Sequence, residues 1–281
     1  MGKQYINSNG EIVEGKSKVV SATNRAYLYG DGLFESIRII NGKAINIEAH
    51  ILRMLDGAIA LKMRIPSYFT VDFFTNKIND LIQQSEIFNG GRVRISLDRV
   101  SGGTYKPESN EVTYLIEVSP MEQPVFELNN RGWEVDLYTE IRKHKSKISN
   151  FKTKNGLLYV MAGIAAQEQE LDDLLITNSK GGILEGSSSN LFVVSNGLLY
   201  TPGLDEGCLA GVMRMTIINL ALEVGIKVYE CSIMPQNLLI ADEVFLTNAI
   251  HGIIWVSGYR TKRYQNNVSS HLLDLLNQKY S

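Results

Sequence analysis

The sequence predicts two α+β domains joined by an extended connector. Short strands and helices are mixed along the chain without a regular βαβ alternation, which favours α+β over a doubly wound parallel sheet. A proline-containing stretch at residues 119–125 (SPMEQPV) separates two patterned regions, and proline removes a backbone donor and fixes φ. We therefore expect a small N-terminal domain over residues 1–118 and a larger C-terminal domain over residues 126–281.

The clearest N-terminal elements are one hairpin and two helices. Residues 92–100 (RVRISLDRV) alternate strictly between polar and apolar side chains, as a half-buried strand does. The turn SGGTYKPESN leads to a second strand at residues 112–118, so the two strands should pair as an antiparallel hairpin. Apolar residues at helical spacing predict helices over residues 48–63 and 71–87.

In the C-terminal half, short apolar strands are separated by helical stretches. The predicted strands cover residues 133–138, 173–177, 191–194 and 244–247. The predicted helices cover residues 157–171, 209–224 and 268–278. This irregular order continues the α+β pattern of the first half.

Composition excludes several classes of protein. The 281 residues include 28 Lys and Arg against 30 Asp and Glu, and this near balance gives no electrostatic reason to expect nucleic acid or an anionic membrane as a partner. Two cysteines are too few for a disulfide framework. No apolar run reaches about 18 residues, and the polar N-terminus has no signal-peptide core. We therefore expect a cytoplasmic protein that acts on small molecules.

Several common catalytic motifs are absent. The Gly30-Asp31-Gly32 turn lacks the third glycine and the βαβ context of a dinucleotide-binding loop. The chain has no P-loop, its histidines show no metal-ligand spacing, and EGSSSN differs from the G-x-S-x-G elbow of a serine hydrolase. The dehydrogenase, NTPase, metalloenzyme and hydrolase alternatives are therefore weakened, and no metal ligand is expected.

Two motifs carry residues that could bind or react with an aldehyde cofactor. Lys152 precedes an apolar helix, and a lysine amine in a dry site can form a Schiff base. Alternatively, Lys152 lies on a solvated basic loop together with Lys143, Lys145, Lys147 and Lys154. Glu185, in ILEGSSSNLF, could pair with a cationic ring nitrogen, although a polar hairpin turn has the same composition.

Two further motifs could bind a phosphate. Residues 207–214 (GCLAGVMR) form a glycine-flanked entry into a helix, and the N–H groups and dipole of a helix N-terminus favour an anion. Many helices begin this way without a ligand. His50 and Arg53 are three residues apart on one face of a helix, where the arginine could bind a phosphate or lie on the surface with a buried stem.

Together these motifs resemble the fold-type IV pyridoxal-phosphate-dependent enzymes, which are the class IV aminotransferases and their lyase relatives. The resemblance follows the chain in family order, through YLYGDGLFESIRI, HILRM, FKTKN, ILEGSSSNLFVV, LAGVMRM and ADEVFLTNAIHGI. It implies the two-domain α+β fold of D-amino-acid aminotransferase-like enzymes, with the active site between the domains. It also implies pyridoxal 5'-phosphate as cofactor and a homodimer in which the neighbouring subunit completes the substrate pocket.

The resemblance further implies a role for each matching residue. Lys152 would be the Schiff-base lysine and would move the substrate proton as acid and base. Glu185 would pair with the pyridine nitrogen, and Leu209 would pack against the ring face opposite the substrate. The phosphate would be bound by Arg53, by Ser188 or Ser189, and by the backbone N–H groups of Val212 and Met213.

Within this family the motifs are most similar to 4-amino-4-deoxychorismate lyases. GDGLFES and TNAIHGI follow the lyase pattern, although Thr104 replaces a basic residue and leaves one carboxylate contact unassigned. Branched-chain enzymes carry an asparagine–tyrosine pair where this chain has Asn155-Gly156, and D-amino-acid enzymes carry an arginine–histidine trap that SGGTYKP lacks. Arg94 would bind a substrate carboxylate or form a cross-strand ion pair. The other substrate-binding candidates are Phe34, Tyr105, Asn248 and His251.

The leading hypothesis is a lyase that converts aminodeoxychorismate to p-aminobenzoate and pyruvate in folate precursor synthesis. Its substrate is a small molecule with an amino group and a carboxylate. The alternative is a class IV amino-acid aminotransferase for branched-chain or D-amino acids, which shares the cofactor motifs. A non-catalytic interaction module is a third possibility, but the presence of Lys152, Glu185 and Arg53 argues against it.

Overall fold

The computed structural model describes residues 5–281, and they divide into two packing units. The first unit comprises the chain up to Val125 together with Phe151–Asn155, and the second comprises Phe126–Asn150 and Gly156–Tyr280. Each unit combines a sheet with helices, so the α+β class that the sequence predicts is confirmed. No helix within residues 5–281 is both long and apolar enough to cross a membrane.

The first unit contains a six-stranded antiparallel sheet and three helices. Its strands are β1 (Tyr5–Ser8), β2 (Glu11–Glu14), β3 (Gly32–Ile40), β4 (Lys43–Ala44), β5 (Gly90–Arg99) and β6 (Val112–Met121). Its helices are α1 (Arg25–Tyr29), α2 (Ile47–Ala60) and α3 (Val71–Gln84). The strand order is β2-β1-β6-β5-β3-β4.

The apolar face of β5 forms the core of this unit. Val93, Ile95 and Leu97 are fully buried, as the alternation of the sequence predicts. They pack in one cluster with Ile51 of α2 and Phe74 of α3. Burying each such side chain stabilises the fold by about 1.5–3 kcal/mol. The opposite face of β5 is therefore available for polar side chains.

Strand β6 runs to Met121, three residues beyond the end that the sequence predicts. Pro120 lies in this extension and pairs with Gly91 of β5. Strand β1 pairs with residues 115–117 of β6, so Pro120 lies past the stretch that has strands on both sides. Proline is tolerated at such an edge position, because no second partner needs its missing N–H.

The second unit is built on a nine-stranded sheet. Its strands are β7 (Trp133–Lys143), β8 (Asp173–Asn178), β9 (Ile183–Glu185), β10 (Asn190–Ser195), β11 (Leu198–Pro202), β12 (Val228–Cys231), β13 (Glu243–Asn248), β14 (Gly252–Tyr259) and β15 (Lys262–Arg263). Its helices are α4 (Leu157–Glu168), α5 (Val212–Glu223), α6 (Pro235–Ile240) and α7 (Asn267–Tyr280).

Six of these strands close into a ring. The sheet order is β12-β11-β10-β13-β14-β7-β8-β9, and β9 pairs back onto β10. The closing pair is Glu185 with Asn190, and Glu185 also pairs with Ile176 of β8. The backbone of Glu185 is therefore held by a strand on each side.

Every helix and strand named from the sequence is present, with shifted ends. The helix predicted over 209–224 begins at Val212, because Gly211 has extended backbone angles (φ −65°, ψ 134°). The short helix α1 and the strands β1, β2 and β4 carry too few residues for a recognisable period, and the sequence analysis did not name them. It also did not name β3, although that strand has nine residues.

Candidate active site

Lys152 lies in a short extended segment beside β3 of the first unit. Its carbonyl oxygen accepts a hydrogen bond of 3.0 Å from the N–H of Phe34. Leu33 and Thr153 form an isolated antiparallel bridge next to it. The segment therefore extends the sheet along the edge of β3 that is opposite to β5, and it holds the backbone of Lys152 in place.

The ring of Phe34 lies between two cations. Lys152 Nζ is 4.4 Å from the ring centroid, and the guanidinium carbon of Arg94 is 4.2 Å from it. Arg94 belongs to β5, on one side of β3, and Lys152 belongs to the segment on the other side. Burial and the neighbouring Arg92 lower the pKa of Arg94, but an arginine stays charged in proteins.

Arg53 is oriented by a buried carboxylate. Glu35 of β3 accepts a hydrogen bond of 2.8 Å from Nε of Arg53, a second bond from Nη2, and a third of 2.7 Å from Nδ1 of His50. Burial alone would raise the pKa of Glu35, but Arg53 and His50 outweigh it and hold the pKa at about 2. Two nitrogens of Arg53 are thus tied to Glu35, which fixes the plane of the guanidinium.

His50 supports this arrangement as a neutral ring. Burial lowers its pKa below the ordinary value of 6.5, and the hydrogen bond from His50 to Glu35 opposes the shift only in part. The neutral ring donates from Nδ1 to Glu35. His50 is therefore a structural neighbour of Arg53 on α2.

Glu185 accepts three hydrogen bonds within the second unit. Oε1 receives Lys143 Nζ at 2.7 Å and the Tyr159 hydroxyl at 2.9 Å, and Oε2 receives the N–H of Leu209 at 2.7 Å. A carboxylate offers about four lone-pair positions, so one position on Oε2 can accept a further donor. A protonated pyridine nitrogen is such a donor, so the site fits the ring of pyridoxal phosphate.

Two buried hydroxyls near Glu185 have no hydrogen-bond partner within residues 5–281. They are Oγ of Ser189 and Oγ1 of Thr247. Asn190, which follows Ser189, pairs with Thr247 across β10 and β13. A buried hydroxyl without a partner costs about 1–3 kcal/mol, so both groups are suited to an anionic ligand such as a phosphate. Ser188, the other serine candidate, is exposed.

The N-terminus of α5 lies beside Asn190. Val212 and Met213 are the first two residues of the helix, and N–H groups in a first turn have no helical acceptor. A Cβ atom at Gly211 would overlap Oδ1 of Asn190, while Nδ2 of Asn190 donates to the Leu209 carbonyl at 2.8 Å. Only glycine allows this close approach, which ties the helix entry to β10.

The other substrate candidates lie on loops or at the end of a strand. Tyr105 is 90% exposed, and its ring centroid is 5.5 Å from that of Tyr29. Asn248 ends β13, and its Oδ1 accepts the N–H groups of Ile250 and His251. The side chain of Asn248 thus stabilises a turn, and His251 is exposed.

Sequence reasoning missed the roles of Lys143, Tyr159 and Thr247, and it also misplaced Lys154. Lys143 was grouped with solvated lysines, but its side chain is 11% exposed and paired with Glu185. Lys154 was also grouped with the solvated lysines, but its ammonium group forms an ion pair with Asp98 at 2.6 Å. Tyr159 was read only as part of an apolar helix. The signal for Thr247 is a hydroxyl side chain that directly follows the apolar run VFL in the strand EVFLTN.

Comparisons with known proteins identify the family. The amino-transferase class IV pattern matches residues 32–259. The chain is 31% identical over 254 residues to a putative branched-chain-amino-acid aminotransferase of Methanocaldococcus jannaschii, covering 88% of this chain and 84% of that protein. It is 26% identical over 277 residues to the aminodeoxychorismate lyase of Bacillus subtilis, covering 96% and 92%.

The fold agrees with this assignment. The branched-chain aminotransferase of Thermoproteus uzoniensis superimposes with a TM-score of 0.90 at 22% identity, over 98% of this chain and 93% of that one. The resemblance to fold-type IV enzymes is therefore confirmed. Enzymes of this family use pyridoxal phosphate, and the acceptor position on Glu185 and the two buried hydroxyls fit that cofactor. The protein belongs to the class IV aminotransferase family and is a pyridoxal-phosphate-dependent enzyme.

Proposed function

We propose that the protein is a lyase that converts 4-amino-4-deoxychorismate to p-aminobenzoate and pyruvate, which would place it in folate precursor synthesis. The reacting residue is Lys152, and Arg94 recognises a carboxylate of the substrate. The aminodeoxychorismate lyase of Bacillus subtilis, which aligns with 96% of the chain, supports the proposal, as do the GDGLFES and TNAIHGI motifs.

The position of Phe34 between Lys152 and Arg94 carries the proposal. The reacting amine of a substrate must reach Lys152, whereas its carboxylate suits the fork of Arg94. In an α-amino acid the amine and the carboxylate are attached to the same carbon. In aminodeoxychorismate they lie at opposite ends of the carbocyclic ring. Two cations separated by an aromatic ring match the second substrate better.

The reaction needs one proton transfer at Lys152. When bound, pyridoxal phosphate supplies an aldehyde that condenses with amines and a protonated ring that withdraws electrons from neighbouring bonds. Lys152 Nζ removes the proton from the substrate carbon that bears the amine. The bond from the next carbon to the enolpyruvyl oxygen then breaks, and its electron pair leaves with the oxygen. The departing enolate takes up a proton and becomes pyruvate.

The other residues bind and orient the cofactor. Glu185 would accept the ring N–H at the remaining position of Oε2, which favours the protonated ring. Ser189 and Thr247 would donate to the phosphate, and the first turn of α5 would add its N–H groups and its dipole. Arg53 is the proposed phosphate ligand of the first unit.

A fluorescence assay for p-aminobenzoate tests this function. Purified protein with pyridoxal phosphate and aminodeoxychorismate should produce p-aminobenzoate, and Lys152→Ala should not. Borohydride treatment and mass spectrometry should locate a pyridoxyl adduct on Lys152 of the unmodified sequence. A protein that carries this adduct but forms no p-aminobenzoate would exclude the lyase and leave the cofactor assignment intact.

The 31% identity to the putative branched-chain aminotransferase supports a second candidate, an amino-acid aminotransferase. Lys152 would hold and move the proton taken from the substrate carbon that bears the amine, and pyridoxal phosphate would supply the acceptor for the amino group. This function predicts that an L-branched-chain or a D-amino acid converts the bound cofactor to its pyridoxamine form, which is followed by absorption. If none of these amino acids causes the conversion, the second candidate is excluded.

We also propose that the protein is a homodimer. Leu157, Val160 and Ile164 of α4 are 72%, 55% and 44% exposed, and their spacing puts them on one helix face. An exposed apolar stripe of this kind is typical of an interface. Light scattering should give the mass of a dimer, and Val160→Glu should lower it towards that of a monomer.

A further inference from the structure

We propose that Lys143 is a positioning residue for Glu185: its ammonium group keeps the buried carboxylate ionised and leaves only Oε2 open to the ring N–H of the cofactor. This inference rests on the proposed pairing of Glu185 with the pyridine nitrogen. Lys143 acts through Glu185 and touches neither substrate nor cofactor in this scheme.

Burial makes an ionised Glu185 costly. The side chain of Glu185 is 3% exposed, and that of Lys143 is 11% exposed. A carboxylate without a cation in such surroundings takes up a proton rather than stay charged. Within residues 5–281, Lys143 is the one cation in an ion pair with Glu185, at 2.7 Å. Its charge therefore offsets the desolvation of the carboxylate.

Lys143 also decides which oxygen of Glu185 remains available. Lys143 and Tyr159 both donate to Oε1, whereas the N–H of Leu209 is the donor to Oε2. Each carboxylate oxygen accepts about two hydrogen bonds. Oε1 is thus saturated, and a further donor must bind Oε2.

The ammonium group is held in a defined place. Nζ of Lys143 also donates to the Ser149 carbonyl at 3.1 Å and lies 5.7 Å from the ring centroid of Tyr159. The backbone of Lys143 pairs with Asn178 of β8, after a register shift that follows Tyr138. These contacts distinguish Lys143 from the exposed lysines that follow it in the chain.

Three titratable side chains surround the carboxylate. They are Lys143 on β7, Tyr159 on α4 and Cys208 in the loop before α5. Burial and the charge of Glu185 raise the pKa of Tyr159, and they raise the pKa of Cys208 to about 12. Both groups are therefore neutral at pH 7, and Lys143 alone of the three supplies a compensating charge.

Carbon NMR of the glutamate carboxyl groups in the full-length protein tests the role directly. The Glu185 resonance is assigned by its loss in Glu185→Gln. At pH 7 we expect the ionised position in the unmodified protein and the neutral position in Lys143→Met. Lys143→Arg should restore the ionised position, because the charge is retained. Lys147→Met is the control for loss of an exposed lysine on the same segment.

Tyr159→Phe separates charge from hydrogen bonding. This variant removes one donor to Oε1 but no charge, so Glu185 should remain ionised. Lys143→Gln is a second neutral variant that retains a donor for the Ser149 carbonyl, and it replaces Lys143→Met if that variant does not fold. An ionised Glu185 in the folded neutral variant would overturn the proposal.

Cofactor affinity provides a second measurement. Lys143→Met or Lys143→Gln should weaken pyridoxal phosphate binding by about tenfold, and Lys143→Arg should recover most of the affinity. Unchanged affinity in the neutral variants would also overturn the proposal. If the unmodified protein forms no borohydride-stable adduct on Lys152, the proposed function fails instead, while the Glu185 resonance still decides the role of Lys143.

Discussion

Glu35 and Arg53 form a nearly buried ion pair in which the carboxylate accepts a hydrogen bond of 2.8 Å from Nε. Their side chains are 1% and 10% exposed. The pair links β3 to α2, and it fixes the guanidinium that we expect to bind the phosphate. The pair should therefore affect stability and cofactor affinity together.

We expect Glu35→Gln to lower the free energy of unfolding at pH 7 by about 3 kcal/mol, since it removes the charge that compensates Arg53. The pKa of Glu35 is lowered from 4.5 to about 2, so this stabilisation is complete above pH 4.5 and is lost as the pH falls towards 2. Urea unfolding at several pH values measures the difference. Glu11→Gln, at an exposed site, is the control, and a difference that does not shrink in acid would contradict the prediction.

Ser189→Ala should separate folding from binding. Oγ of Ser189 is buried without a partner, so its removal should leave the free energy of unfolding unchanged or raise it by about 1 kcal/mol without cofactor. The affinity for pyridoxal phosphate should fall, because a phosphate donor is lost. Thr201→Val is a matched control, since the Thr201 hydroxyl donates to the Leu191 carbonyl at 2.8 Å and its loss should destabilise the protein. Equal cofactor affinity in Ser189→Ala and the unmodified protein would refute the phosphate role.

Arg94→Gln should raise KM for a carboxylate substrate by about tenfold to a hundredfold, because a charged hydrogen-bond donor is lost. Arg94→Lys should restore only part of the affinity, since an ammonium lacks the fork of the guanidinium. Steady-state kinetics measures KM for both variants, and borohydride should still give the pyridoxyl adduct on Lys152 in each of them. Arg64→Gln removes an exposed arginine and should leave KM unchanged. An unaltered KM in Arg94→Gln would remove this residue from the substrate site.

Gly211→Ala should lower cofactor affinity with little loss of helix content. The added Cβ would overlap Oδ1 of Asn190 and displace the amide that holds the Leu209 carbonyl. The N–H of Leu209 would then shift from Glu185. Gly163→Ala is the control, because a Cβ there meets nothing within 4 Å and alanine favours a helix. Comparable affinities in the two variants would show that the close approach has no functional role.

The sequence predicted the elements whose pattern is local. The alternation of β5 and the spacing of α3 are contained in about a dozen residues each, and the buried faces follow directly from them. The Phe151–Asn155 segment gave no such signal. The position of this segment beside β3 depends on the pairing of Leu33 with Thr153. These two residues are far apart in the chain, so no local period could indicate their contact.

In the candidate site, too, local sequence patterns do not reveal contacts that depend on strand pairing. Lys152 and Glu185 were named because they lie in family motifs, whereas Lys143 and Lys147 look alike in the sequence. The register of β7 against β8 buries Lys143 next to Glu185, while Lys147 is exposed. The difference arises from strand pairing, which a single sequence does not reveal.

The closed ring of the second unit constrains the order in which the protein can assemble. The turn at residues 186–189 joins β9 to β10, so the pairing of Glu185 with Asn190 is local and can form early. The parallel pairing of β7 with β14 joins strands from opposite ends of the unit, and such long-range closure is slow. A nascent chain cannot complete the ring until β14 has emerged from the ribosome. Closure of the ring therefore follows synthesis of the side chains that contact Glu185, because Lys143, Tyr159 and Leu209 all precede β14 in the chain.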